Sequence, residues 1–282
     1  MEPIEVDILD QGKVVLIDSF GSDTRIATVA RTSYQKGTKP VQADRGLIRY
    51  LMRHRHTSPF EMGEVLFYVK IPIFVARQLL RHRTANINEL SGRYSEMSDQ
   101  FWFPELEDLG PQSTMNNQGR APMTNDLKAK KAKQNMVLAA DTSYNTYDAL
   151  LHVSDVSREV ARTVLPLSVY TEMYWKCDLH NFFHFAKLRM DRHAQKEIRD
   201  MATAMYELVK SQFPISAEAF EDYILYAHSL SRLDQQLIAS IFRGAIPSLD
   251  YAKTLGMSER EYHEFMQWYT TLLSTPEGSS CQ

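Results

Sequence analysis

Arg81-His82-Arg83 is followed, after seven residues, by Ser91-Gly92-Arg93-Tyr94, and Arg77 lies one helical turn before it. Four arginines and a histidine therefore crowd one helix end and the loop that follows. Like charges held this close repel unless something negative lies among them. Guanidinium forks match phosphate oxygens in bidentate geometry, and each charge-assisted bond of that kind is worth about 1.5–3 kcal/mol. Gly92 lets backbone approach a ligand closely. The set points to an anion site, and the competing reading is surface arginines paired with Glu89, Glu96 and other carboxylates.

Two more clusters could join it. Arg53-His54-Arg55-His56-Thr57-Ser58-Pro59-Phe60-Glu61 alternates cations with imidazoles and then offers two hydroxyls. An adenine–ribose–phosphate ligand suits such a loop, since cations and hydroxyls hold phosphates and imidazole stacks on rings. It is equally a helix C-terminus decorated with cations. The third cluster is Leu188-Arg189-Met190-Asp191-Arg192-His193-Ala194-Gln195-Lys196-Glu197-Ile198-Arg199, with a candidate helix start at Asp191. His180 and His184 precede it at metal-ligand spacing, but a third ligand and a zinc-protease glutamate are both missing from the pattern. Packed, hydrogen-bonded imidazoles are the better reading, and no metal is expected.

Several elements must position these residues. Val14–Ile17 reads as a strand, and Ser22 or Asp23 caps a helix over Thr24–Arg31. A second helix runs from Gln42 to about His54, and Val65–Ile71 is the strongest strand pattern in the chain. Pro72 then opens a helix expected to reach Arg83, with Thr84–Phe103 an ordered polar loop. Residues 105–135 read as a variable surface excursion leading into a helix, whose lysine run (Lys128, Lys130, Lys131, Lys133) is a solvated face. From Met136 the pattern is helical: Ser154–Val164, Tyr170–Phe185, Gln195–Lys210, Ala217–Tyr226, Leu233–Phe242 and Ser258–Leu273. Cys177 falls within the helix read over Tyr170–Phe185, in apolar surroundings where a thiol is inert. The class is α+β: a small mixed or antiparallel sheet with many surrounding helices.

Composition narrows the function. A net charge of −3 over 282 residues gives no global basic field of the kind polynucleotide binders carry. Two cysteines, Cys177 and Cys281, are too few for a disulfide framework. The first residues lack a signal-peptide pattern and no apolar run approaches a membrane span, so a cytoplasmic location is expected.

The ordered motifs resemble one family, the flavin-dependent thymidylate synthases. Arg81-His82-Arg83-x7-Ser91 has the form of its defining motif, flanked as in the family by Phe74–Gln78 and Asn88–Tyr94. His54 to Glu61 resembles its His-x-Ser/Thr-Pro-Phe-Glu segment. Arg158–Pro166 is similar to its Arg-Glu-x-Ala-Arg-x-x-Leu-Pro stretch, and Leu188–Ile198 to its Leu-Arg-x-Asp-x-x-Ala-Gln-x-Glu-Ile segment. A lone Arg-His-Arg is a weak signal; four segments in order are a strong one.

The resemblance implies a catalytic domain over 1–215, with 216–282 a helical extension packed on it. It implies that Ser33, Ser58, Arg81, His82, Arg83, Glu89, His180 and His184 contact FAD, with His56 on the flavin side. It assigns dUMP to Gln78, Arg81, Glu89, Ser91, Gly92, Arg93, Arg162 and Arg189. The implied reaction makes dTMP from dUMP, with methylenetetrahydrofolate as carbon donor, reduced flavin as carrier and NADPH or NADH as reductant. The implied assembly is a homotetramer with sites at subunit interfaces, without nucleic-acid or membrane partners. Arg189 is expected to stabilise dUMP ionised at N3, and Ser91 to position it, because an unassisted serine hydroxyl is a weak nucleophile. The alternatives are a nucleotide- or RNA-binding module that grips phosphate without catalysis, a metal-dependent phosphohydrolase using His180, His184 and Asp191, and a scaffold that has lost activity.

Overall fold

Residues 2–32, 41–114 and 118–274 are described by a computed structural model. A hairpin opens the fold: β1 (Ile4–Ile8) turns at Leu9, in the left-handed region at φ 56°, into β2 (Gly12–Phe20). β3 (Glu64–Pro72) pairs with β2 across a bulge at Ile17. On its other side β3 pairs with a late strand, β5 (Tyr170–Asp178), which also carries the short β4 (Asn86–Glu89). The sheet order is β1-β2-β3-β5-β4, antiparallel throughout. β3 sits at the centre because it alternates cleanly, with Val65, Phe67, Val69 and Ile71 buried at two-residue steps.

The expected helix over Tyr170–Phe185 is overturned in its first half. Tyr170, Met173, Tyr174 and Cys177 do fall at helical spacing, but Met173, Trp175 and Cys177 also alternate with Glu172, Tyr174 and Lys176. Nine register pairs with β3 decide for the strand, because they bury that second set on the core side. The helix begins only at α6 (Leu179–Arg189), whose first turn is capped by the Asp178 carboxylate accepting the Asn181 N–H at 2.9 Å. Cys177 therefore lies in β5.

α1 (Asp23–Arg31), α2 (Val41–Arg53), α3 (Ile73–Leu79), α6, α7 (Lys196–Gln212) and α8 (Pro214–Phe220) share one core with the sheet. Ser22 caps α1 through the Arg25 N–H at 3.2 Å. Asp23, next in line, acts over a longer range. Its buried carboxylate accepts from the backbone N–H groups of Ile215 and Ser216 at 2.7 and 3.0 Å, tying α8 to α1. α4 (Asp126–His152) and α5 (Arg158–Ala161) build a second cluster around Met97, Phe101, Tyr147 and Val169. The lysine run lies on α4, with Lys128, Lys130 and Lys131 exposed. The outward face of the sheet keeps Leu66 and Tyr68 half-buried and Tyr174 exposed.

The chain divides into two compact units, 1–226 and 227–282. The first extends beyond residue 215 because Phe220 stacks on Phe183 with centroids 4.5 Å apart, inside the main core. The second holds α9 (Arg232–Phe242), α10 (Leu249–Thr254) and α11 (Glu259–Ser274) around Leu237, Ala252, Met257 and Phe265. Among the described residues no helix is long and apolar enough to cross a membrane.

Candidate active site

The helix expected to reach Arg83 stops at Leu79. Past it, the N–H groups of Arg81 and His82 bond the carbonyls of Gln78 and Leu79, three residues back, so the chain leaves the helix in a tight turn. That turn points the middle residue inward and its neighbours outward. His82 is 7% exposed, its ring 5.6 Å from Phe185, 6.0 Å from Trp175 and 5.8 Å from His184 by centroids. Its Nε2 lies 3.0 Å from the Thr84 hydroxyl. Burial, then the nearby His184 and Arg189, hold its imidazole below the ordinary value, so it is neutral at pH 7. Arg81 and Arg83 are exposed on either side of this anchored ring.

α6 supplies the opposite wall. Arg81, His82, Arg83, Thr84, His180, His184 and Arg189 line a cavity of about 430 Å³. His180 and His184 also line a second cavity of about 100 Å³, with Arg55, His56, Thr57 and Lys187. The two histidines at four-residue spacing thus face two adjoining cavities, and Asp191 is held elsewhere by His193, at 2.8 Å. Asp191 does not start a helix: α7 begins at Lys196. Among the described residues no carboxylate lines either cavity.

His56 reaches the second cavity through the end of α2. The His56 N–H bonds the Leu51 carbonyl at 2.9 Å and the Arg55 N–H the Met52 carbonyl at 3.2 Å, the paired bonds of a Schellman motif. Its left-handed position usually takes glycine, yet here Arg55 occupies it at φ 60°. A side chain there costs about 1 kcal/mol, and a strained residue beside a cavity marks a site built for something other than stability. Tyr50 and His54 cluster beside His56 with their rings tilted, centroids 4.4 Å apart for Tyr50–His54 and 5.9 Å for Tyr50–His56. Ser58 is exposed in the same loop, while Ser33 lies outside the described residues.

The rest of the motif is gathered elsewhere. At the end of β4, Glu89 accepts from the Thr171 hydroxyl at 2.8 Å, and just past it Leu90 donates its N–H to the Glu172 carbonyl. Ser91 accepts the Arg93 N–H at 3.3 Å. Arg162 packs on Gly92, where an added Cβ would lie 3.2 Å from its Cδ, and Arg93 pairs with Glu159 at 3.3 Å. This second group stands at the far end of β4 from His82, roughly 13 Å of strand away. Arg189 bridges differently: its Nη2 donates to the Gln78 carbonyl at 3.1 Å.

Arg55, Arg81, Arg83 and Arg162 have no carboxylate within ion-pair distance among the described residues, against the reading of paired surface arginines. Cys177 is buried in β5, and burial pushes its thiol well above the ordinary value, which removes it as a nucleophile. Sequence reasoning gave no role to Lys187, Gln195, Glu197 or Arg120. Glu197 carried the one available signal, a carboxylate at an inward helical position.

A five-stranded antiparallel sheet with helices around it defines an α+β protein, and its adjoining cavities are cationic. Residues 15–215 match the family described as thymidylate synthase complementing protein, and the chain belongs to that family. It is 46% identical over 263 residues to a flavin-dependent thymidylate synthase of Ruegeria pomeroyi, covering 92% of this chain and 85% of that one. It is 47% identical over 253 residues to one from Thermus thermophilus, covering 90% of each. Among solved structures it resembles a UMP/dUMP methylase PolB from Streptomyces cacaoi bound with 5-Br dUMP, at TM-score 0.71 and 33% identity, covering 77% of this chain and 98% of that one. The non-catalytic phosphate-binding alternative is not favoured by these relatives.

Proposed function

We propose that this chain is a flavin-dependent thymidylate synthase that methylates dUMP at C5 to give dTMP, using methylenetetrahydrofolate as carbon donor, bound FAD and NADPH or NADH as reductant. The carrying observation is the set of arginines without carboxylates on the walls shared by His180 and His184. Their donors fit FAD: Arg81 and Arg83 offer countercharge for a pyrophosphate, and His56, on the wall of the second cavity, offers an aromatic ring beside an adenine or isoalloxazine. Ser58, Arg81, His82, Arg83, Glu89, His180 and His184 would hold it, and the flavin, once reduced by NADPH or NADH, would supply the hydride that completes the methyl group.

This chain's own residues do the rest. Arg162, Arg93 and the Gly92 backbone would take the dUMP phosphate; Arg162 packs on Gly92 and is exposed there. Arg189, steadied by the Gln78 carbonyl, would stabilise negative charge on uracil ionised at N3, which enriches C5. Ser91, its hydroxyl already turned to the Arg93 N–H, would orient the substrate and not attack it. The two residue groups at opposite ends of β4 would meet across protomers, in support of a homotetramer with sites at subunit interfaces; the uncovered Leu66, Tyr68 and Tyr174 face supports the same reading. A cytoplasmic location, with small-molecule partners and neither nucleic acid nor membrane, accords with it.

Tritium release from C5-labelled dUMP tests the assignment. Release that requires methylenetetrahydrofolate, flavin and NADPH is expected. A yellow protein that releases none would point to another substrate, and a colourless inactive one would overturn the enzyme reading.

A further inference from the structure

Gln78 occupies the last turn of α3, and its side chain is the first member of a hydrogen-bonded chain that runs to Arg120. Its Nε2 donates to Gln195 Oε1 at 2.7 Å, and Gln195 Nε2 donates to Glu197 Oε2 at 2.7 Å. Glu197 is 2% exposed, and its other oxygen accepts from Arg120 Nη1 at 2.9 Å. Arg120 in turn donates to Asp108, which also accepts from Lys196 at 2.6 Å. The excursion that looked variable in sequence is therefore anchored. Its two arms meet so closely at Gly110 that a Cβ there would lie 1.6 Å from the Ala121 carbonyl oxygen.

The direction of this chain is not free. A carboxamide can present either end to a neighbour, and geometry alone rarely says which. Glu197 removes the ambiguity, because a carboxylate held by arginine is ionised and can only accept. Gln195 must turn its NH₂ to Glu197 and hence its carbonyl oxygen to Gln78. Gln78 must then answer with its own NH₂, which leaves its side-chain carbonyl oxygen without a partner among the described residues. The backbone of the same residue is held from the other side by Arg189.

We propose that Gln195, Glu197 and Arg120 are positioning residues that fix the polarity of the Gln78 carboxamide, so that Gln78 presents an acceptor oxygen to a donor group of the nucleotide substrate, a sugar hydroxyl. The proposal rests on the reading of Gln78 as a dUMP contact. It also gives the excursion a role in the site, with Arg120 as the ionic end-stop of the relay.

The test is a double-mutant cycle on the flavin-loaded enzyme, with KM for dUMP and kcat measured for Gln78→Leu, Gln195→Leu and the pair. Gln195→Leu is expected to raise KM about 10-fold, the loss of one hydrogen bond's worth of binding, with kcat within about two-fold. In the Gln78→Leu background the same substitution should add nothing. A separate pair, Arg120→Met and Arg120→Lys, should raise KM and largely restore it, respectively; it carries the test alone if Gln195→Leu fails to fold. Additive effects in the cycle would overturn the relay, as would an Arg120→Lys no better than Arg120→Met. A Gln78→Leu enzyme with unchanged KM would instead sink Gln78 as a substrate contact, leaving the tritium-release result untouched.

Discussion

Two sets of arginines in this chain meet opposite fates. On α2, Arg49 pairs with Glu218 and with Asp222, at 2.6 and 2.7 Å, and donates to the Tyr223 hydroxyl at 3.0 Å; Arg45 pairs with Glu218 as well. After α3, Arg81 and Arg83 stand beside no carboxylate among the described residues, on either side of an imidazole kept neutral. The chain has 35 acidic residues to 32 basic ones, so carboxylates were not in short supply. Leaving them out of one cluster is a matter of placement. The paired set is structural and holds α2 to α8. In the proposed function the unpaired set is completed by a ligand.

Several experiments would break or sharpen that contrast. The largest effect is expected from Arg189→Ala or Arg81→Ala, with tritium release falling about 100-fold or more, as when one preorganised electrostatic donor is removed. Arg45→Ala should stay within about two-fold of the parent, and an equal loss in both would erase the distinction.

Flavin binding should separate the two sets in stability. Saturating FAD, at about 100 times its dissociation constant, should stabilise the stripped protein by about 2.7 kcal/mol, read as a rise in melting temperature. Arg83→Ala should lose most of that rise, and Arg49→Ala should keep it.

Without ligand the order reverses. Arg49→Ala should cost about 1 kcal/mol, since its pairs are partly screened, whereas Arg83→Ala should cost nothing or stabilise slightly by relieving repulsion. Denaturant unfolding of the two stripped variants decides, and a large loss in Arg83→Ala would mean an internal partner.

The smallest effect concerns His82. Its folded value is lowered, so the unfolded chain takes up the proton more readily. The stability tied to the neutral ring is therefore complete above about pH 6.5 and is lost as pH falls through that value. Melting temperature should decline as pH falls below about 6.5, and His82→Asn should flatten the decline. An unchanged slope would show that the ring is not the group being titrated.

Much of this was legible in the chain. The strand at Val65–Ile71 and the helices at Asp23–Arg31, Lys196–Gln212 and Arg232–Phe242 follow from local periodicity and caps that act within a turn or two. The cationic motifs were equally visible, because clustering one charge is unusual whatever the fold. Tyr170–Asp178 was not legible. Its apolar residues satisfy both a helical and a two-residue period, and only pairing with β3, a hundred residues earlier, chooses between them.

The same division holds at the site. Sequence by itself determined the family, the α+β class and which residue types could bind phosphate, since these rest on local composition and ordered motifs. Only the tertiary structure decided that His82 is a buried anchor between two exposed arginines, that His180 and His184 face two cavities, and that Gln78 is steered through Gln195 and Glu197 from Arg120. Burial, charge pairing and hydrogen-bond direction are properties of neighbours in space, and the chain brings those neighbours together only when the sheet closes.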